Sequence, residues 1–183
     1  MYRCLWMQTR LIKERYYMAM RTIVTVGDPV LEKVCRPYTE FGPRLHQLLD
    51  DMRETLAEAD GVGLAAPQVG VLRRAVLVIE TNHAEDEEDI LLELVNPEII
   101  ATSGTQTGTE GCLSVPDEVG IVTRPMVVTV RAQDRNGNFF EYTGEGLTAR
   151  CFCHELDHLD GVLYTKRADR MLTDEDFMDE EDE

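Results

Sequence analysis

No apolar run in the 183 residues approaches the roughly 18–20 residues that a membrane-spanning helix requires, so no membrane partner is expected. Cationic charge is also scarce. Lys and Arg number 18 against 35 Asp and Glu, a formal net charge of -17. Phosphate backbones are bound where clustered cations release counterions, so direct nucleic-acid binding is not expected. Cysteines are five, Cys4, Cys35, Cys112, Cys151 and Cys153. An odd count at irregular spacing is not a disulfide framework, and reduced thiols in the cytoplasm are expected. The single tryptophan, Trp6, lies in a stretch carrying Arg3, Arg10, Lys13 and Arg15 against Glu14. That stretch lacks the continuous apolar core of a secretory signal. Residues 1–17 therefore read as a disordered extension or upstream start, with Met18 or Met20 as the effective beginning.

The composition is that of an ordinary globular domain, with 43% hydrophobic and 29% charged residues. The length suits one core, expected over residues 18–168. Thr22–Val26 is a short β-branched run in an irregular lead-in. From Pro43 to Ala59, Leu45, Leu48, Leu49, Met52 and Leu56 recur at helical spacing, which predicts an amphipathic helix capped near Gly61. Ala75–Ile79 is a continuous apolar run and predicts a buried strand. Leu91–Ile100 predicts another, kinked at Asn96-Pro97, followed by a turn-rich Ser103–Gly111. Met126–Ala132 and Asn138–Thr143 flank Asn136-Gly137, the signature of a two-residue hairpin turn. A second helix is expected over Leu147–Leu159, ending at Asp160-Gly161. The sum is an α+β domain, antiparallel sheets packed around a central motif-bearing helix with a second, N-terminal amphipathic helix. Glu85–Asp89 and the tail from residue 169 are dense in acid and read as solvated.

Within the second helix, His154-Glu155-Leu156-Asp157-His158 puts two of the chain's four histidines four residues apart on one face, where both imidazoles can grip one metal ion. A catalytic site of this kind takes three protein ligands and leaves one position open for water. Cys151 and Cys112 are the candidates for the third. Three ligands on consecutive turns of one helix would span about 10 Å of axis, whereas a metal–thiolate bond is about 2.3 Å. That disfavours Cys151 and favours Cys112, which lies on a separate extended segment. Two imidazoles and a thiolate on a divalent ion leave a charge of about +1, which keeps bound water acidic. Glu155 is placed to carry the proton from that water to a leaving nitrogen. Gln68 and the backbone N–H of Leu113 are the choices for stabilising the developing oxyanion. Gly61–Gly70 does not fit a nucleotide loop, because the third glycine of that fingerprint is missing and Pro67 interrupts the helix that should follow.

Three segments, Gly61-Val62-Gly63-Leu64-Ala65-Ala66-Pro67-Gln68, Glu110-Gly111-Cys112-Leu113-Ser114-Val115-Pro116 and His154-Glu155-Leu156-Asp157-His158-Leu159-Asp160-Gly161, in this order and spacing resemble the peptide deformylase family. The likeness runs from about Met20 to Tyr164. The resemblance implies a metal-dependent hydrolase that removes the N-terminal formyl group from formyl-methionine of nascent polypeptides and releases formate. It implies Cys112, His154 and His158 as metal ligands, Glu155 as acid/base, and Gln68 with the Leu113 amide on the formyl oxygen. Fe2+ is the ion it implies, with Zn2+, Ni2+ or Co2+ able to substitute. Gly63 and Gly111 would let the substrate backbone pair as an added strand. Val62, Leu147 and Cys151 would line the methionine pocket, with ordinary core the other role open to Leu147. Glu110 and Arg124, of opposite charge around the Cys112 segment, are expected to pair and fix it. Many bacterial members end in a basic helix that docks on the ribosome. This sequence ends acidic, so docking by that route is not expected, and contact with the ribosome is expected to be transient at most. The alternative to a deformylase is a zinc peptidase using the same helix motif with a distant glutamate as third ligand, or a deformylase-like protein of altered substrate.

Overall fold

The computed structural model describes residues 20–80, 90–173 and 176. The expectations for residues 1–17, Glu85–Asp89 and most of the acidic tail lie outside the described residues. The elements in chain order are α1 (Pro43–Glu58), β1 (Gly63–Ala65), β2 (Ala75–Glu80), β3 (Ile90–Ser103), β4 (Gln106–Cys112), β5 (Val115–Arg124), β6 (Val127–Gln133), β7 (Phe139–Glu145), α2 (Gly146–Leu159) and β8 (Arg170–Met171). Two antiparallel sheets result, one ordered β1-β2-β3-β6-β7 and a smaller one ordered β4-β5-β8. This is the expected α+β architecture.

The two helices cover opposite faces of the larger sheet, and β2 shows why its sequence is apolar throughout. Val76 and Val78 join Ala149, Phe152, Leu156 and Leu159 of α2 in one cluster. Ala75 and Leu77 join Leu45, Leu49, Met52 and Leu56 of α1 in another. Alternate side chains of a strand point to opposite faces, so a strand covered on both sides loses its polar positions. Phe152 is fully buried. A third cluster, Leu31, Val115, Val122, Leu163 and Tyr164, fills the space under the smaller sheet.

Several local expectations are corrected. The residue that takes the left-handed conformation after α1 is Asp60, at φ 52°, not Gly61; aspartate tolerates that region better than most side chains. Ser103–Gly111 is not mainly turn: β3 runs to Ser103 and β4 begins at Gln106. Thr107, Gly108 and Thr109 face Thr123, Val122 and Ile121 of β5, so partners rather than propensity decide it. The Asn136-Gly137 connection is a three-residue loop. Asp134 and Asn138 close it, with Gly137 N–H bonded to Asp134 O and only Gly137 left-handed. The carboxylate of Asp134 accepts from the backbone N–H groups of Asn136 and Asn138, which favours a type I turn with a bulge over the mirror-image turn. The kink at Asn96-Pro97 is present as a register shift between Val95 and Glu98. Asn96 sits at φ 51°, and its amide bonds the N–H and O of Tyr38 and Oε1 of Gln133.

Candidate active site

Helix α2 runs beneath a cleft of about 650 Å³ whose lining includes Gly63, Gln68, Gly111, Cys112, Leu113 and Glu155. Val62, Leu147, Cys151 and His154 also line it, and His158 lies beneath its floor at 1% exposure. One donor atom from each of Cys112, His154 and His158 lies within 4.8 Å of the others. Cys112 Sγ stands 3.2 Å from His158 Nε2. Cys112 is delivered by β4 and faces Val115 across the turn Leu113-Ser114, so this donor comes from a different element from the two histidines. Cys151 is not in the cluster; its thiol lies 3.5 Å from Val62 O.

The residues present fit a metal ion. Among the described residues, two buried polar atoms, His158 Nδ1 and Glu155 Oε2, have no hydrogen-bond partner. An unpartnered buried carboxylate oxygen is costly unless a ligand or water meets it. Burial, reinforced by the nearby His154, pushes His158 down to about 3, so it stands neutral, the form that ligates. Burial lowers His154 too, but hydrogen bonds with Cys112 and Glu110 outweigh it and lift it to about 10, so His154 gives up a proton when an ion binds. The donor set of one sulfur and two imidazoles suits divalent transition metals.

Glu110 orients the other histidine. Its Oε2 accepts from His154 Nδ1 at 3.1 Å, which leaves His154 Nε2 for the cluster. Arg124 grips Glu110 in a two-pronged contact, Nε to Oε1 at 2.9 Å and Nη2 to Oε2 at 3.0 Å. The expected pair therefore forms, and it extends: Arg124 Nη1 also reaches Asp157 at 2.7 Å. Burial opposes ionisation of Glu110, but hydrogen bonds from His154 and Arg124 outweigh it and hold the carboxyl at about 2. Glu155 has no such compensation. Burial lifts it to about 7, with His154 opposing the rise. A carboxylate poised there can both accept and return a proton near neutral pH.

Gln68 is pinned by its neighbours. Ala65 N–H donates to its Oε1 at 2.8 Å, so Nε2 is the group that faces Ser114 Oγ at 3.2 Å and Cys112 Sγ at 3.6 Å. The lead-in segment ties the Gln68 segment to the turn after Cys112, Val24 N–H bonding Gln68 O and Val26 N–H bonding Ser114 O. Gly63 is required by packing against α2, since a Cβ there would lie 2.5 Å from Cys151 Sγ. Gly111 is open, with only Glu118 O near, at 3.9 Å from a built Cβ. Leu147 is 47% exposed at the cleft and Val62 40%, so Leu147 is not core. Sequence reading passed over Arg150, Asp157, Ser114 and Tyr164. Tyr164 stacks on His154 with ring centroids 5.8 Å apart. Of these, Arg150 and Asp157 carried a positional signal, standing four residues before and three after His154 on one helix face.

The family model described as polypeptide deformylase matches residues 20–173. A peptide deformylase of Agathobacter rectalis is 52% identical over 162 residues, covering 88% of this chain and 98% of its own length. One from Caldicellulosiruptor bescii is 50% identical over 160 residues, covering 87% and 92%. Among solved structures, a peptide deformylase from Legionella pneumophila superposes with a TM-score of 0.74 at 40% identity, covering 90% of this chain and 92% of its own. A class I type b peptide deformylase from Acinetobacter baumannii, described as bound to Met-Ala-Ser, gives 0.75 at 35% identity, covering 81% and 99%.

Proposed function

This chain belongs to the polypeptide deformylase family, and on that premise we propose how its own residues divide the work of the reaction. The family activity is hydrolysis of the formamide at the N-terminus of nascent formylated peptides, giving formate and a free amine. The observation that carries the assignment is the cluster of Cys112, His154 and His158 with the buried carboxylate of Glu155 beside it. The cluster holds no glutamate, so the peptidase alternative has no support.

Cys112, His154 and His158 would hold one divalent ion, and we assign Fe2+ as its identity in the cell, with Zn2+, Ni2+ or Co2+ able to replace it. When bound, the ion supplies Lewis acidity that makes water nucleophilic near neutral pH. Glu155 takes the proton of the attacking water and delivers it to the departing nitrogen as the C–N bond breaks, so one carboxylate serves as base and then acid. Gln68 Nε2, held by Ala65 and Ser114, and the backbone N–H of Leu113 donate to the formyl oxygen as charge develops on it. The free edges of β1 and β4, at Gly63 and Gly111, pair with the substrate backbone as an added strand. Val62, Leu147 and Cys151 receive the methionine side chain. The Met-Ala-Ser peptide in the Acinetobacter baumannii relative has methionine first, as a deformylated product would. The cytoplasm is the compartment in this reading, and ribosome contact is transient. The test is formate release from formyl-methionyl peptides by anaerobically purified protein. Cleavage of internal peptide bonds without formate would overturn it.

A further inference from the structure

The Glu110 carboxylate holds two guanidinium groups. Arg124 already supplies a matched fork and enough charge to neutralise it. Arg150, 7% exposed, adds Nη1 to Glu110 Oε1 at 2.8 Å. The same Nη1 lies 3.0 Å from Val122 O and 3.4 Å from Gly108 O. Gly108 and Val122 face each other across the hairpin of β4 and β5. Arg150 therefore spans one rung of the hairpin that carries Cys112, four residues before that cysteine, and does so from a helix position one turn before His154. Gly108 makes room for it: a Cβ there would stand 3.3 Å from Arg150 Nη2.

We propose that Arg150 is a positioning residue for the metal centre, a strut that fixes the spacing between the Cys112 hairpin and the histidines of α2 and so sets how tightly the ion is held. The inference rests on the ligand assignment under Proposed function. The physical reason is that Cys112 and the two histidines lie on elements with no covalent link near the site. An ion bound at about 2.0–2.3 Å from each donor is sensitive to small shifts between those elements. Arg124 reaches Glu110 and Asp157; Arg150 bonds the hairpin backbone itself. Loss of such a supporting contact typically weakens metal binding ten- to hundredfold.

The full-length apo-protein is titrated with Co2+ against a competing chelator, as parent, Arg150→Met, Gly108→Ala and Arg167→Met. The thiolate-to-cobalt charge-transfer absorption is read in the same samples, with kcat and KM for formate release on the loaded protein. Arg150→Met is expected to raise the Co2+ dissociation constant roughly ten- to hundredfold, to weaken the charge-transfer band, and to lower kcat with KM within about twofold. Gly108→Ala, which crowds the guanidinium without removing its charge, is expected to move the same readouts in the same direction by a smaller factor. Arg167→Met removes an exposed cation that also meets the Asp157 carboxylate and is expected to bind Co2+ like the parent. Parent-like affinity and band in Arg150→Met, whatever its melting temperature, would overturn the proposal, as would an equal loss in Arg167→Met. If Arg150→Met does not fold, Gly108→Ala decides. Absence of formate release by the parent would remove the deformylase reading while leaving the ion titration to decide the role of Arg150.

Discussion

A methyl group on Gly63 would lie 2.5 Å from Glu155 Oε1, closer than any Cβ tolerates, so the strand at the cleft edge and the proton-carrying carboxylate are in direct steric register. Gly63→Ala is expected to push Glu155 and Cys151 aside. Formate release should fall at least tenfold, while the ion content measured on the purified protein stays near that of the parent. Parent-like turnover would show that Glu155 does not need this position.

Glu155→Ala removes the proton carrier and no metal donor. The expected outcome is an ion content unchanged from the parent, with turnover reduced by about 10²–10⁴, the usual worth of a positioned acid/base. Full activity would sink the proton-transfer role.

Cys112→Ala removes the only sulfur in the ligand cluster. Elemental analysis of anaerobically purified protein should find the ion lost in this variant and about one per chain in the parent.

Arg124→Ala takes one partner from a pair whose side chains are 7% and 3% exposed. Leaving Glu110 short of its main counter-charge should cost about 3–5 kcal/mol. For a chain this size that lowers the melting temperature by roughly 6–20 °C. Glu110 would also hold His154 less firmly, so the ion should exchange faster. Unchanged ion content and turnover would remove Arg124 from the site.

Alkaline pH tests the buried thiol of Cys35, which burial pushes up to about 11, with Arg74 opposing and Asp160 adding to the rise. The unfolded thiol ionises near 9, before the folded one does. The contribution to stability is therefore complete below pH 9 and lost as pH rises towards 11. Denaturant melts of Cys35→Ser should be less pH-dependent over this range than those of the parent.

The helix periods, the strand under both helices and the metal-gripping spacing of His154 and His158 were legible because they are local: each depends on a repeat of 3.6 or 2 residues along one element. Cys112 could be reached by elimination, since helix pitch disfavours Cys151. The turn-rich reading of Ser103–Gly111 failed because β4 is a strand by virtue of its partner, Gly108 facing Val122 and Thr107 facing Thr123. The place of Arg150 one turn before His154 was legible, but its role was not, for the same reason: its partners are carbonyls 28 and 42 residues away.

By itself, then, the sequence determined the kinds of donor, their order along the chain and which of them share a helix face. Only the tertiary structure decided that Cys112 Sγ meets His158 Nε2 at 3.2 Å, that Gln68 turns its N–H and not its oxygen into the cleft, and that one buried carboxylate, Glu110, joins two arginines and a histidine. Those are pairings across 40 residues or more between Cys112 and His158 or Glu110 and Arg150. The distances that make them chemical are set by how two sheets and a helix pack, which no local repeat encodes.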